Sequence, residues 1–306
     1  MMPDVLRLGQ GEPVPARIAA VGCGGAGCNI LQQIPAELGI TRAALNDAPH
    51  RSMAGIPSRL ILPREPLAGL ASMDEAAVKQ LTSPEEKAIA GAILNHDLVV
   101  PLAGLGGETG GPAAALVGRV ARILNSATLA IVASPFGAEG INRRMAAERA
   151  LSLLTKKADG VVSFPNDELL KLAPQLPLLK AFEVLGAIMA RPLVDLARST
   201  TRTDVATLRD TLRKAPRWRF GGGGGREKHR AFEAVEEAFA SPWLPADPDT
   251  VERIVVIAAA SDYAESIATE VAHEVRLAAP RAAIVLGGYA DPTLGDRLRV
   301  SLLAGW

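Results

Sequence analysis

Two glycine-rich segments carry most of the chemistry legible in this sequence. In VGCGGAGCN, residues Gly22, Gly24 and Gly27 form GxGxxG between an apolar run and a helical pattern. The missing side chains permit a tight turn and let a phosphate approach backbone amides at a helix N-terminus. The second segment is AGLGGETGG, where Gly104 to Gly111 hold five glycines. A strand-to-helix turn needs only one or two. Asp47 closes another strand-like run twenty residues after Gly27, where a dinucleotide fold places its ribose-binding acid. On that ground an NAD-binding oxidoreductase stays open. Two amide-rich loops suit one triphosphate better, each loop holding different phosphate groups. Glu108 is the oddity: inside such a loop a carboxylate repels phosphate unless it turns to solvent, or an arginine or Mg²⁺ lies between them.

The elements that position these loops alternate. Strand ARIAAVG leads into a helix from about Ala26, and TRAALND and RLILP read as short strands. SPEEKAIAGAILN starts a helix at Ser83-Pro84 with acids in its first turn, as the helix dipole favours. Strand DLVVPLA, the helix after the glycines, strand ATLAIVASP, helix EGINRRMAAERALSLLTKKA and strand DGVVSFPN follow. The pattern predicts an α/β domain with a doubly wound, mostly parallel sheet of apolar strands. Leu178 to Arg198 reads as a long buried helix containing Pro192. Beyond it the pattern predicts a smaller α+β domain. The expected division is 1–177, 178–204 as central helix and connecting loop, and 205–306. The glycine run Gly221 to Gly225 is expected to be a loop within that last domain.

Composition narrows the classes. A chain of 306 residues can bury a large core. Thirty-three basic and thirty-three acidic residues cancel, so no net field points to nucleic acid or an anionic membrane. The N-terminal MMPDVLRLGQGEPVPAR lacks the apolar core of a signal peptide, and a cytoplasmic protein is expected. Cys23 and Cys28 are too few for a disulfide framework or a zinc site and read as packing residues. The histidines His50, His96, His229 and His273 show no ligand spacing, and Trp218 and Trp243 read as core anchors.

Taken in order, these segments resemble the tubulin superfamily, and within it the FtsZ cell-division GTPases. IAAVGCGGAGCNIL is similar to that family's first phosphate loop, and ALNDAPH to its next loop with one residue fewer. AGLGGETGGPAA resembles the signature Gly-Gly-Gly-Thr-Gly-Thr/Ser-Gly without a gap. ASPFGAEGINRRMAAE resembles the segment around Pro135 that supplies a ribose-contacting glutamate and an arginine, here Glu139 and Arg143. FPNDELL places Asn166 where the family's asparagine reaches the nucleoside, and SPWL and GGYADPTLGDRLRV match its second domain.

The resemblance implies a tubulin/FtsZ-like fold, GTP or GDP as ligand, Mg²⁺ held through phosphates and water, and head-to-tail self-assembly. It assigns the nucleotide to Gly22, Cys23, Gly24, Gly25, Gly27, Asn29, Asn46, Asp47, Gly104, Gly106, Gly107, Glu108, Thr109, Gly110, Pro135, Glu139, Arg143, Asn166, Phe182 and Gly186. The sequence also departs from the family. Glu108, Gly111 and Pro112 replace a glycine, a hydroxyl residue and a glycine of the signature. Gly186 stands at the guanine-contacting asparagine. In TTRTDVATLRD the two acids that orient water in the next subunit's site align with Asp204 and Thr207; a shifted alignment gives Thr201 and Asp204, with Asp210 further along. Either way Asp204 is the one catalytic acid, and hydrolysis is expected to be slow or impaired. The alternative is a non-hydrolysing partner that co-assembles with another FtsZ. The chain ends at Trp306, before the family's tail peptide, so direct membrane recruitment through that tail is not expected.

Overall fold

The computed structural model describes residues 5–9, 14–73, 80–175, 177–244 and 247–306. Residues 1–4 and 10–13 of the N-terminal stretch read above for a signal segment lie outside these. The chain divides into two units, Arg17–Ala190 and Met1–Ala16 with Arg191–Trp306.

A short strand, β1 (Leu6–Arg7), opens the chain and belongs to the second unit. The first unit carries β2 (Ile18–Cys23), β3 (Thr41–Asn46), β4 (Ser58–Ile61), β5 (Leu98–Gly104), β6 (Ala127–Ser134) and β7 (Gly160–Pro165). Every pairing among them is parallel, in the order β7-β6-β5-β2-β3-β4. All residues of β2 are buried, as the uninterrupted apolar run requires of a parallel strand covered on both faces. The helices are α1 (Gly24–Leu31), α2 (Arg64–Ser72), α3 (Pro84–Ile93), α4 (Gly110–Ile123), α5 (Ile141–Lys157), α6 (Asp167–Leu172) and α7 (Leu178–Ser199). Helix α7 crosses from the first unit into the second, with Pro192 inside it.

Helix α3 starts where Ser83-Pro84 predicts. Ser83 caps it and Glu86 reaches back to the Ser83 amide. Glu86 also pairs with Arg119 of α4 at 3.1 Å, both fully buried, and Arg119 donates to Leu70 O of α2 at 3.1 Å. One buried pair thereby ties three helices together. Removing either partner alone would strand a charge away from water. Helix α2 starts after Pro63 without a side-chain cap, and the sequence pattern does not reveal it.

The second unit holds α8 (Asp204–Arg213), β8 (Arg217–Gly225), α9 (Arg230–Phe239), β9 (Arg253–Ala260), α10 (Glu265–Ala278), β10 (Ala283–Ala290) and β11 (Leu298–Gly305). Strand β1 runs parallel to β10 and β10 to β9, whereas β11 is antiparallel to both β9 and β8. Trp218 and Trp243 are buried here, as core anchors should be.

The run Gly221 to Gly225 is not a loop. It is the second half of β8, paired residue for residue with β11. A β-carbon on Gly221, Gly223 or Gly225 would stand 2.2, 2.1 or 2.0 Å from the carbonyl oxygens of Ala238, Ala234 and Arg230 of α9. Two strand residues advance about 6.6 Å and four helical residues about 6 Å. Alternate glycines therefore keep step with one face of α9 and let its backbone lie directly on the sheet. Packing, not flexibility, explains Gly221, Gly223 and Gly225.

Candidate functional site

Both glycine loops leave the carboxyl ends of parallel strands, β2 and β5, where ligands of such sheets bind. Gly24 has a φ of +70°, and a β-carbon on it would stand 3.2 Å from the backbone N and Cα of Gly110. The two loops therefore touch. Gly106 is also left-handed, at φ +94°, and β-carbons on Gly110 and Gly104 would stand 2.5 Å from Gly104 O and 2.7 Å from Ala26 Cβ. Gly22 and Gly27 are glycines for internal reasons: their β-carbons would meet Cys28 Cα at 2.8 Å and Leu102 O at 2.0 Å. Gly107 differs from all of these. A β-carbon there would meet no atom within 4 Å, so the described chain gives no reason for glycine at this position.

The helices that follow the loops share a second trait. Neither α1, after Cys23, nor α4, after Thr109, has a side-chain cap or an acid in its first turn. Helix α3, by contrast, has a capping box at its start, whereas α5 shares the uncapped start but follows no glycine-rich loop. The amides at the starts of α1 and α4 are left to accept an anion, which the helix dipoles also favour.

These features open on one cavity of about 730 Å³, within the range of about 300–1,000 Å³ typical of small-molecule sites. Cys23, Gly24, Gly25, Asn29, Asn46, Gly104, Gly107, Glu108, Thr109, Gly110, Pro135, Glu139, Arg143, Asn166, Phe182 and Gly186 line it. Gly22, Gly27, Asp47 and Gly106 do not; they shape the loops from behind. Glu139 accepts from the Phe136 amide at 2.8 Å and from Arg143 at 2.6 Å, which holds the arginine at the rim. Phe182 offers a half-exposed ring, set edge-on to Phe136 with centroids 5.6 Å apart. Asn166 is buried, and its Oδ1 has no hydrogen-bond partner among the described residues. An unpaired buried acceptor is costly, so an asparagine kept in that state fits a donor supplied from outside the chain. Asn46, also buried, donates to Ala48 O at 3.0 Å.

Glu108 has a largely exposed side chain on the cavity wall, and an arginine meets it. Arg64, the first residue of α2, pairs with Glu108 through Nη1 and with Asp47 through Nε. The pairing with Arg64 is the main reason that the Asp47 carboxyl lies below its usual range, and it raises Arg64 in turn. The sequence offers no signal for this arginine, because the contact joins three segments far apart in the chain. Gln33, Glu183 and Met189 are further lining residues that the sequence reading missed.

The thiols of Cys23 and Cys28 are free, buried and not activated. Burial pushes Cys23 well up and Cys28 to about 11. Among the described residues no group of three His, Cys, Asp or Glu side chains is placed to hold a metal ion.

Asp204 does not line this cavity. It belongs to the second unit, where it is buried, and its Oδ2 accepts from Gly9 N, Thr201 N and Thr201 Oγ1 at 2.9, 2.7 and 2.6 Å. Within its own chain the carboxylate acts as a clamp on the turn before α8. Thr207 and Asp210 follow on that helix.

Comparison with known proteins agrees with this geometry. The GTPase domain of the tubulin/FtsZ family matches residues 17–174. The cell division protein FtsZ 1 of Pyrococcus horikoshii is 30% identical over 303 residues, spanning 95% of this chain and 81% of its own. This chain belongs to the tubulin/FtsZ family. An FtsZ dimer from M. jannaschii, solved empty, superposes with a TM-score of 0.80 at 26% identity, over 96% of this chain and 89% of that one. CetZ2 from Haloferax volcanii, a GTPγS-bound protofilament, has a TM-score of 0.74 at 17% identity over 94% and 92% of the two chains, and shows the shared fold. Membership in the FtsZ family weighs against the dinucleotide oxidoreductase that GxGxxG alone left open. No helix among the described residues is long and apolar enough to cross a membrane.

Proposed function

We propose that this FtsZ-family chain binds GTP in the cavity between its two glycine loops and assembles head to tail into filaments with slow turnover. The observation that carries the reading is the pair of uncapped helix starts meeting at Gly24 and Gly110. The amides of Gly24, Gly25, Gly107, Thr109 and Gly110 would hold the phosphates. Glu139 and Arg143 would take the ribose, and Asn166 and Phe182 the base. Mg²⁺ fits as an ion held by phosphate oxygens and water, in keeping with its reluctance to dehydrate. Gly186 contributes no side chain, so guanine selectivity has to come from other lining groups. The division proteins among its relatives support a cytoskeletal role.

A second reading has an observation of its own. Oδ2 of Asp204 takes three hydrogen bonds within its chain, and Thr207 brings no charge. That favours a member that binds nucleotide without hydrolysing it and co-assembles with another FtsZ. Sedimentation and phosphate release, measured against protein concentration, separate the two. GTP-dependent pelleting with slow, concentration-dependent release supports the first reading. Pelleting without release, or only beside an active FtsZ, supports the second. No nucleotide dependence at all contradicts both.

A further inference from the structure

We propose that Arg64 is a triphosphate-sensing residue whose Nη face is held by Glu108 until a terminal phosphate takes its place. The inference rests on the nucleotide reading of the cavity. Its grounds are the placement and unequal exposure of three charges. Asp47 is mostly buried, at 14% side-chain exposure, and holds the Arg64 Nε; Glu108, at 76%, holds Nη1 from the cavity wall. The inner carboxylate fixes one edge of the guanidinium, and the outer one has the freedom to leave.

The backbone beneath Arg64 is anchored. Leu67 and Ala71 of α2 are buried, and Arg119 binds Leu70 O at the helix's far end. Only the long side chain of Arg64 has room to change partner. Arg64 does not itself line the cavity and reaches its wall through Glu108, whereas the arginine that does line it, Arg143, is engaged by Glu139 four residues away. Among the described residues Arg64 is thus a cation beside the glycine loop placed to answer added phosphate charge. Its planar fork keeps Asp47 on one edge and offers the other to phosphate oxygens, which a lysine cannot do. Glu108 then acts as an internal competitor. A diphosphate too short to reach Arg64 leaves the Glu108 pair in place, and a triphosphate displaces it.

The test is titration of the wild-type protein, Arg64→Ala, Arg64→Lys and Glu108→Gln with GDP and with a non-hydrolysable GTP analogue, in Mg²⁺. Thermal melts confirm folding, which substitution at these exposed side chains leaves intact. Arg64→Ala should weaken the triphosphate about fivefold and GDP by less than about twofold, as expected for one exposed charge pair. Glu108→Gln should tighten the triphosphate selectively, and Arg64→Lys should fall between wild type and alanine. Equal effects on both nucleotides, or none, would overturn the role of Arg64 while leaving the site in place. A wild-type protein that binds neither nucleotide would overturn the reading of the site and this role with it.

Discussion

A β-carbon on Gly27 would stand 2.0 Å from the carbonyl oxygen of Leu102, so the last glycine of GxGxxG is dictated by the packing of α1 on β5. Gly107, in the other loop, faces open cavity. The two glycines should therefore fail differently. Gly27→Ala should lower stability by about 1–3 kcal/mol, the usual range for overpacking, in a denaturant melt. Gly107→Ala should melt like wild type and lose nucleotide affinity in a titration. The reverse pattern would mean that the roles have been exchanged.

Gly24→Val is a poorer probe of the same site. Its left-handed φ and its contact with Gly110 make any side chain strained there, so lost binding would be confounded with lost fold.

The glycine strand gives a test in the second unit. Gly223→Ala would push a methyl group onto Ala234 O and lift α9 from β8. Stability should drop by at least about 1–3 kcal/mol, with nucleotide affinity unchanged in the folded fraction. A neutral melt would show that the strand tolerates side chains after all.

The cysteines supply a pH signature. Burial raises Cys28 from 9.0 to about 11 and Cys23 in the same direction. A raised thiol stabilises the fold below its unfolded value, and that contribution disappears as pH climbs from about 9 through about 11. Melting temperature should therefore fall across this window. Alkylation at pH 8 should be slow until the protein is unfolded; rapid labelling of the native protein would contradict the burial.

Asp204 combines a structural and a chemical question. Asp204→Ala removes a charged acceptor from Gly9 and Thr201 and should cost about 1.5–3 kcal/mol, the range for hydrogen bonds to charged groups. Thr207→Asp adds an acid one turn after Asp204 on α8 and should raise phosphate release wherever assembly occurs. Unchanged release from a protein that still assembles would favour the non-hydrolysing reading.

The legible parts of this protein are those encoded by local pattern. Apolar runs located β2, β5, β6 and β7, and Ser83-Pro84 located the start of α3, because strand burial and helix capping are short-range. The two-residue β1 has no periodicity to display, and α2 starts after Pro63 with no capping side chain to announce it. Gly221 to Gly225 misled because glycine in a strand and glycine in a loop look alike until the partner helix is known. In the cavity, the motif residues were visible and Arg64 was not. Its contacts with Asp47 and Glu108 span 17 and 44 residues and exist only in the folded chain.

The most direct test of the central claim is to denature the purified protein and chromatograph whatever nucleotide it releases, with added GTP as a second arm if it purifies empty. Guanine nucleotide, carried through purification or bound saturably on addition and lost in Gly107→Ala, is the result predicted here. Release of NAD, or a folded protein that neither carries nor takes up guanine nucleotide, would contradict it.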